Sequence, residues 1–233
     1  MTNPEDTLTL SDKTAFFETA GMFKGLDSVA ARELARLAFT MAFTKGDAIF
    51  TPIEPSCHFY LVKTGLVKVS IYSISGFKLT YLLAENGEPL NLVSPFTCSL
   101  RSTAAEALTD VLLVCVSQED FLRFALKRPQ MIINAVSTLG KAVDSANLRI
   151  IDLIEKRVED RLARVLYTLY SKFGSPVSFT SFELAALTGT TSESTLRALG
   201  CLREKGLIRS ERGQTHILDP AALIPQEKET LWL

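Results

Sequence analysis

The residues best suited to recognition chemistry lie at the start of one predicted helix near the C-terminus. Thr191 and Ser194 carry hydroxyl groups that suit phosphate oxygens, and the free amides at a helix N-terminus favour the same anion. Glu193 can accept a hydrogen bond from a cytosine amine, and Arg197 can clamp guanine through O6 and N7. These residue types at this spacing predict contacts with the major groove of DNA. The candidate contacts on this helix are Thr191, Ser192, Glu193, Ser194 and Arg197.

Two short helices must position these side chains. Thr180-Ser181-Phe182-Glu183 is a capping box that opens the first helix, and Gly189 permits a tight turn after it. The second helix starts at Thr191 and runs to Lys205, where Gly206 ends it. Two helices joined by a turn that contains glycine form a helix-turn-helix. A small helical packing domain with solvated charges is the alternative interpretation, because this geometry also occurs outside DNA binding.

A hairpin, or wing, is predicted after the second helix, over Leu207–Leu218 with its turn near Arg212-Gly213. Arg209 and Arg212 are candidate contacts to the DNA backbone. Residues 158–215 carry 8 basic and 6 acidic side chains, whereas the whole chain carries 25 and 26. Because this positive bias is small, DNA contacts would depend on helix N-termini and on a second copy of the chain as well as on side-chain charge.

A long helix is predicted to begin at Pro129, because only Gly140 interrupts the chain between it and Gly174. Its apolar residues recur at alternating steps of four and three, which is the pattern of a coiled coil. A helix buried against its own domain would show a similar stripe. We expect a parallel dimer helix, since a strict repeat favours it. The predicted interface residues are Ile132, Val136, Leu139, Val143, Ala146, Ile150 and Leu153.

The N-terminal half of the chain changes from a helical to a β pattern. Residues 13–42 have apolar side chains at helix-like spacings, and frequent turn signals begin at Gly46-Asp47. Short β-rich runs between such turns suggest an antiparallel sandwich or barrel. Another helix is expected after Ser117, which is a possible cap followed by acidic residues. The predicted strands are Ala48–Phe50, Phe59–Val62, Leu66–Tyr72, Lys78–Leu83 and Val111–Val116.

Together these segments predict an α+β protein in three parts. Residues 1–128 would form an N-terminal antiparallel β-roll with flanking helices. Residues 129–157 would form the long dimerisation helix. Residues 158–233 would form a winged helix-turn-helix that binds DNA.

This order of parts resembles the Crp/Fnr family of bacterial transcription regulators. The most specific matches are Phe179–Ala185, Ser192–Arg197 and Leu202–Ile208. The resemblance implies a β-roll of the double-stranded β-helix, or jelly-roll, type. It also implies a homodimer and RNA polymerase as a further partner.

The family reads DNA with a Glu and with an Arg four residues later, and these fall on Glu193 and Arg197. Ser192 stands where the cyclic AMP receptor has a further Arg, and Leu196 stands where the Fnr branch has Ser. The resemblance therefore implies a palindromic operator without specifying the sequence of its half-site.

The resemblance also implies an effector pocket. Arg101-Ser102-Thr103 looks like the phosphate-binding part of the family's cyclic-nucleotide cassette, whereas Asn91-Leu92 stands where the family has Gly-Glu for the ribose. The polar pair that meets the adenine falls on Ala146-Asn147, where only Asn147 is polar. A ribose hydroxyl without its charged acceptor loses ~1.5–3 kcal/mol. We expect a small-molecule effector other than cyclic AMP, and without an anionic ligand Arg101 would be a structural ion-pair residue.

The cysteines and histidines limit the cofactors. The Fnr branch holds an iron–sulfur cluster with clustered N-terminal cysteines, and since no cysteine precedes Cys57 such a cluster is not expected. Haem stays an alternative through His58, because a single axial histidine can suffice, although a lone histidine is more often packed or at the surface. Cys98 is either a redox thiol or a small buried residue. His58 and His216 lie in different parts, so neither a metal site nor a β-barrel metalloenzyme is predicted.

Composition and cysteine usage favour a globular cytoplasmic protein, and without clustered histidines we do not expect an enzyme. The chain has 233 residues, of which 47% are hydrophobic and 22% are charged, as in globular proteins. Its four scattered cysteines fit reduced thiols, no signal peptide is visible, and no apolar run approaches the ~20 residues that cross a bilayer. We expect a ligand-responsive, DNA-binding transcription regulator. An effector-binding module that acts through protein contacts is the alternative.

Overall fold

The structure is a computed structural model, and it describes residues 7–55, 57–90, 92, 96, 100–155, 157–211 and 213–223. The chain forms two compact units. The first comprises Met1–Ile71 and Leu82–Lys141, and the second comprises Tyr72–Tyr81 and Ala142–Leu233. In the described part of the chain, no helix combines the length and the apolar character of a membrane span.

Two helices open the first unit. Helix α1 (Leu10–Thr19) begins with a capping box between Thr9 and Asp12. A 3-10 turn at Gly21–Phe23 follows, and helix α2 (Ser28–Leu37) then begins. Helical structure was predicted throughout residues 13–42, and this prediction is wrong in two places. The helix is interrupted after Thr19, and helix α2 already ends at Leu37.

Strand β1 (Ala38–Phe43) follows α2 directly and occupies the segment in which the helix was predicted to continue. Ala38 has a ψ of 144°, so the chain leaves the helix there. The whole of β1 pairs antiparallel with strand β7 (Val111–Ser117). The apolar residues of this segment satisfy either periodicity, and pairing with a distant strand selects the extended form.

In the described residues between 38 and 117, seven strands make two sheets. One sheet has the order β1-β7-β3, and the other has the order β2-β6-β4-β5. The pairs β1–β7, β3–β7, β2–β6 and β4–β6 are antiparallel, which confirms the predicted class of sheet. The remaining strands are β2 (Ala48–Phe50), β3 (His58–Thr64), β4 (Val67–Tyr72), β5 (Lys78–Ala84) and β6 (Ala104–Ala107).

Helix α3 (Gln118–Leu126) closes the core of the first unit. It starts after Ser117, whose side chain accepts a hydrogen bond from the Asp120 amide, as the predicted cap requires. The ring of Phe121 stacks on Phe59 of β3 with 4.0 Å between centroids. The β1-β7-β3 sheet and the helices of this unit therefore share one hydrophobic core.

Helix α4 (Pro129–Glu155) is a single helix of 27 residues that starts at the predicted proline. Met131 and Ala135 near its start are buried in the core of the first unit. The three-part division at residues 128 and 157 stays a prediction.

The second unit contains the predicted helix-turn-helix and wing. Leu162, Leu166, Leu184 and Leu202 are buried in its interior. Its elements are helix α5 (Val158–Phe173), helix α6 (Ser181–Thr188), helix α7 (Ser192–Glu204), strand β8 (Ile208–Glu211), strand β9 (Gln214–Ile217) and helix α8 (Pro220–Leu223).

Candidate DNA-binding surface and effector site

Helix α7 has one buried and one exposed face. Thr195, Ala198 and Leu202 are buried in the second unit. Glu193 and Arg197 expose 81% and 71% of their side chains. The two residues predicted to read bases therefore lie on the accessible side of the helix.

The N-terminus of α7 is capped by Thr191. Its Oγ1 accepts a hydrogen bond from the Ser194 amide at 3.2 Å, and its carbonyl oxygen accepts one from the Thr195 hydroxyl at 3.0 Å. Ser192 and Ser194 are half-buried in the first turn. Because the first amides of a helix lack partners within the helix, this turn suits a phosphate group.

An exposed ion pair orients the arginine on this surface. Arg197 Nη1 lies 3.3 Å from Glu193 Oε1, and Arg197 Nη2 donates to Ser194 Oγ at 3.3 Å. Exposed pairs at this helical spacing contribute only about 0.3–0.5 kcal/mol. A guanine edge could therefore replace these contacts at little cost.

Gly189 makes the turn between α6 and α7. Its φ is +72°, and an added Cβ would lie 3.2 Å from Leu153 Cδ2 and 3.3 Å from Leu79 Cδ1. Both the backbone conformation and the close packing therefore favour glycine. The capping box predicted for α6 is also present, since the Glu183 amide donates to Thr180 Oγ1 at 3.2 Å and the Thr180 amide donates to Glu183 Oε2 at 2.7 Å.

Two arginines hold the C-terminal end of α6, and we call Arg149 and Arg161 the arginine clamp. Arg149 Nη1 donates to the carbonyl oxygen of Leu187 at 3.0 Å. Arg161 donates to the carbonyl oxygens of Thr188 and Gly189, both at 3.3 Å. The last carbonyls of a helix lack partners within it and favour positive charge. The clamp therefore supports the turn that precedes α7.

The arginine clamp was not predicted from the sequence. Arg149 also donates to the carbonyl oxygen of Thr80 at 3.2 Å, so it joins three segments of the second unit. Burial lowers its pKa to about 10, against the opposing effect of the Asp152 carboxylate, and the guanidinium stays charged at neutral pH. Arginine is rarely buried, and no local signal marks Arg149 as an exception.

A buried ion pair joins α4 and α5. Arg164 Nε lies 2.8 Å from Asp152 Oδ2, and the two side chains are only 1% and 6% exposed. Removal of either partner from such a pair leaves a buried charge, which is strongly destabilising. The pair therefore ties the end of the long helix to the first helix of the helix-turn-helix region.

Strands β8 and β9 form the predicted wing. Arg209 pairs in register with His216, and Gly213 at the turn has a φ of +73°. Arg209 is exposed, and its Nη2 lies 3.1 Å from Glu211 Oε1. The other predicted wing contact, Arg212, lies outside the described residues.

The predicted dimer residues divide between two faces of α4. Ile132 and Leu139 pack against the core of the first unit, because the first turns of α4 also complete that core. The other five are exposed, namely Val136, Val143, Ala146, Ile150 and Leu153.

The exposed face of α4 carries a repeat of its own, which we call the exposed row. Its members recur at alternating steps of three and four residues, and the large apolar ones are between 55% and 78% exposed. Three residues of the row also belong to the predicted interface. Each of the other four lies one position after a residue of the predicted interface. It consists of Ile133, Val136, Gly140, Val143, Asn147, Ile150 and Ile154.

Arg101 lies beneath aromatic rings in the first unit. Its guanidinium carbon is 4.0 Å from the ring centroid of Phe50 and 5.2 Å from that of Tyr60. Its carbonyl oxygen accepts a hydrogen bond from the Ile53 amide at 2.8 Å, and Ile53 has a φ of +73°, which is rare for a β-branched residue. The predicted anion-binding cation is therefore buried and already engaged by the protein.

The other predicted pocket residues differ in exposure, and their grouping into one pocket stays a prediction. Ser102 is exposed and Thr103 is half-buried next to Arg101. Leu92 belongs to the hydrophobic core, and Asn147 is exposed on α4. Asn91 lies outside the described residues.

His58 packs among aromatic rings. Its centroid is 5.3 Å from that of Phe39 and 5.9 Å from that of Tyr60. Burial, with a smaller effect of the Arg101 charge, lowers the pKa of His58, so its ring is neutral at pH 7. Cys98 lies outside the described residues, within which no group of three or more His, Cys, Asp or Glu side chains could hold a metal ion.

Comparisons with known proteins agree with this architecture. A cyclic nucleotide-binding domain matches residues 40–128, and a Crp-like helix-turn-helix domain matches residues 160–225. The CRP-like cAMP-activated global transcriptional regulator of Mycobacterium tuberculosis is 24% identical over 212 residues, which are 88% of this chain and 95% of that protein. The cyclic AMP receptor protein of Thermus thermophilus is 28% identical over 182 residues, 78% of this chain and 84% of that protein.

A solved structure has the same fold. The c-di-GMP responsive global regulator CLP of Xanthomonas campestris matches with a TM-score of 0.76 over 83% of this chain and 100% of that one. Its identity to this chain is 19%, so the likeness concerns the fold alone.

A cyclic nucleotide-binding domain that precedes a winged helix-turn-helix defines a class of DNA-binding transcription regulators. Within that class, the chain belongs to the CRP/FNR family. The resemblance inferred from the sequence is therefore confirmed, together with the function of a DNA-binding regulator.

Proposed function

We propose that the protein regulates transcription as a homodimer that binds a palindromic operator in response to a small molecule. The observation that carries the proposal is the exposed pair of Glu193 and Arg197 in the first turns of α7. The exposed row on α4 supports a dimer, because a heptad repeat is self-complementary. RNA polymerase is the further partner, the cell compartment is the cytoplasm, and the protein acts by binding without catalysing a reaction.

In the proposed complex, the N-terminal turn of α7 enters the major groove. Arg197 leaves Glu193 to bind guanine, and Glu193 becomes free to accept a hydrogen bond from cytosine. Thr191 and the amides of the first turn bind phosphate, and so does Arg209 of the wing. These contacts fix the position of the protein along the DNA. A two-fold dimer presents two such helices to half-sites about one DNA turn apart.

An Arg197→Ala variant tests the base contact. We expect operator binding to weaken by ~1–3 kcal/mol, because a bidentate base contact is lost while the helix stays intact. A mobility shift on a palindrome from the protein's own promoter measures the change. Circular dichroism of the same sample reports whether the fold is kept.

The matched control is Arg203→Ala, which removes an exposed arginine from the last turn of the same helix. We expect this variant to bind the operator much as the unchanged protein does. Equal affinities for both variants would show that Arg197 does not read the operator. No shift with any palindrome from the promoter would contradict the proposed operator itself.

We infer that the effector is a small molecule other than cyclic AMP. In the register of the family resemblance, Leu92 stands where a carboxylate would accept the ribose hydroxyl, and its side chain belongs to the core. Two similar proteins differ in the effector that their names state, cAMP for one and c-di-GMP for the other, so kinship alone does not transfer an effector. The inference therefore rests on Leu92, the residue at the ribose position.

Mass spectrometry of the small molecule that copurifies with native protein tests this inference, together with calorimetric titration of cyclic AMP. We expect no saturable binding of cyclic AMP at micromolar concentrations. Saturable binding that also raises the affinity for the operator would overturn the inference. That result would leave the proposed operator binding intact.

A further inference from the structure

The exposed row of α4 contains a single polar side chain, Asn147. The row extends from Ile133 to Ile154, which is roughly 32 Å of helix at 1.5 Å per residue. Large apolar side chains precede and follow the asparagine at Val143 and Ile150, and both are more than half exposed. If this row is buried in an interface, the Asn147 amide needs a hydrogen-bond partner, because a buried amide without one is destabilising.

The three-four spacing assigns the row to the two core positions of a coiled coil. Val136, Val143 and Ile150 take the d positions, and the a positions are Ile133, Gly140, Asn147 and Ile154. Ile at both positions shifts the preference towards three or four strands, and here the d positions are all β-branched. A single Asn at an a position restores two strands and specifies the register.

Gly140 also indicates a partner on this face. Glycine in a helix interior is less favourable than alanine. An added Cβ at Gly140 would meet no atom of the described residues within 4 Å, so packing against this part of the chain does not require glycine there. A neighbouring helix that approaches closely at this a position would account for it.

We propose that Asn147 pairs with Asn147 of a second copy of the chain and thereby specifies a parallel, in-register, two-stranded dimer. The inference rests on the homodimer of the proposed function. An amide has both a donor and an acceptor, so two copies can satisfy each other across a two-fold axis. Any shift of register, or an antiparallel arrangement, would bury both amides against apolar side chains without partners.

This assignment gives Asn147 a different role from the adenine contact that the family resemblance implies. In the dimer without effector, the amide is engaged by its counterpart. Parallel pairing also brings both DNA-binding regions to the same end of the helix pair, because α5 follows α4 directly in each chain. One side chain therefore selects the arrangement that a palindromic operator requires.

The experiment uses two full-length variants without added effector, Asn147→Asp and Asn147→Lys, separately and mixed in equal amounts. Sedimentation velocity over a range of concentrations gives the dissociation constant of each dimer. We expect each variant alone to dissociate at least about tenfold more readily, because like charges face each other. The mixture is expected to recover the dimer, since Asp then faces Lys.

Lys141→Asp is the control, because it changes the charge at an exposed position of the same helix outside the row. We expect it to dimerise as the unchanged protein does. Weakened single variants that do not recover on mixing, or variants that dimerise normally, would overturn the pairing of Asn147. An unchanged protein that stays monomeric at tens of micromolar would instead overturn the homodimer on which the inference rests.

Discussion

At the scale of single residues, the arginines of the second unit differ in role according to their burial. Arg197 is exposed and held by a weak ion pair, so its guanidinium can be transferred to a base. Arg164 is buried, and its charge is matched by Asp152 within the protein. Arg149 is buried as well and satisfies carbonyl oxygens at the end of α6. The same chemical group therefore supports the architecture in the interior, while on the surface it stays available for the proposed recognition of DNA.

An Arg164→Met variant tests the buried pair. We expect the free energy of unfolding to fall by about 3–5 kcal/mol, because the Asp152 carboxylate stays buried and loses the guanidinium that lies 2.8 Å from it. Urea unfolding followed by circular dichroism measures the loss. The double variant Arg164→Met/Asp152→Leu removes both charges and is expected to be more stable than the single one. An equally unstable double variant would indicate that lost packing, and not the unpaired charge, is responsible.

At the scale of elements, the turn of the helix-turn-helix depends on close packing as well as on backbone conformation. Gly189 and Gly206 both have a φ of +72°, which favours glycine. An added Cβ at Gly189 would lie within 3.3 Å of two leucine side chains, whereas one at Gly206 would meet nothing within 4 Å among the residues that the structure describes. A comparison of alanine variants at these two positions therefore separates the effect of the backbone φ on stability from the effect of side-chain packing.

We expect Gly206→Ala to lower the free energy of unfolding by about 1 kcal/mol or slightly more, through backbone strain alone. Gly189→Ala should cost more and should also weaken operator binding, because the strained turn directly precedes α7. Thermal unfolding and a mobility shift measure the two effects. Equal losses of stability in both variants would mean that the leucines move aside without cost.

At the scale of the whole molecule, DNA affinity is expected to depend on dimerisation. The region from 158 to 215 carries a charge excess of only two, so one copy offers few contacts to phosphate. A dimer doubles these contacts and binds both half-sites at once. We therefore expect the exposed row of α4 to be as important for operator binding as the surface of α7.

A Val143→Asp variant tests this dependence. We expect a monomer with little specific affinity for the operator, because a charge at a d position must be buried in the dimer. Light scattering gives the mass and a mobility shift gives the affinity. Lys141→Asp, outside the row, should change neither. A persistent Val143→Asp dimer would exclude this face of α4 as the interface.

Local signals predicted the helix starts and turns of the second unit well. Thr180 and Glu183 form the predicted capping box, and Thr191 caps α7. Such contacts join residues only a few positions apart, so their chemistry can be read along the chain. Strand β6 was not predicted, because Ala104–Ala107 has weak β propensity and forms through pairing with β2 and β4.

The sequence by itself determined the family and the existence of a long patterned helix, and it singled out Glu193 and Arg197 as candidate recognition residues. The tertiary structure alone decided which stripe of that helix is covered. Ile132 and Leu139 pack against the core, while Ile133 and Asn147 face outward. The physical reason is that a periodic pattern defines the faces of a helix, but the segment that covers each face comes from a distant part of the chain. The same reason explains the arginine clamp, whose carbonyl partners lie far from it in sequence.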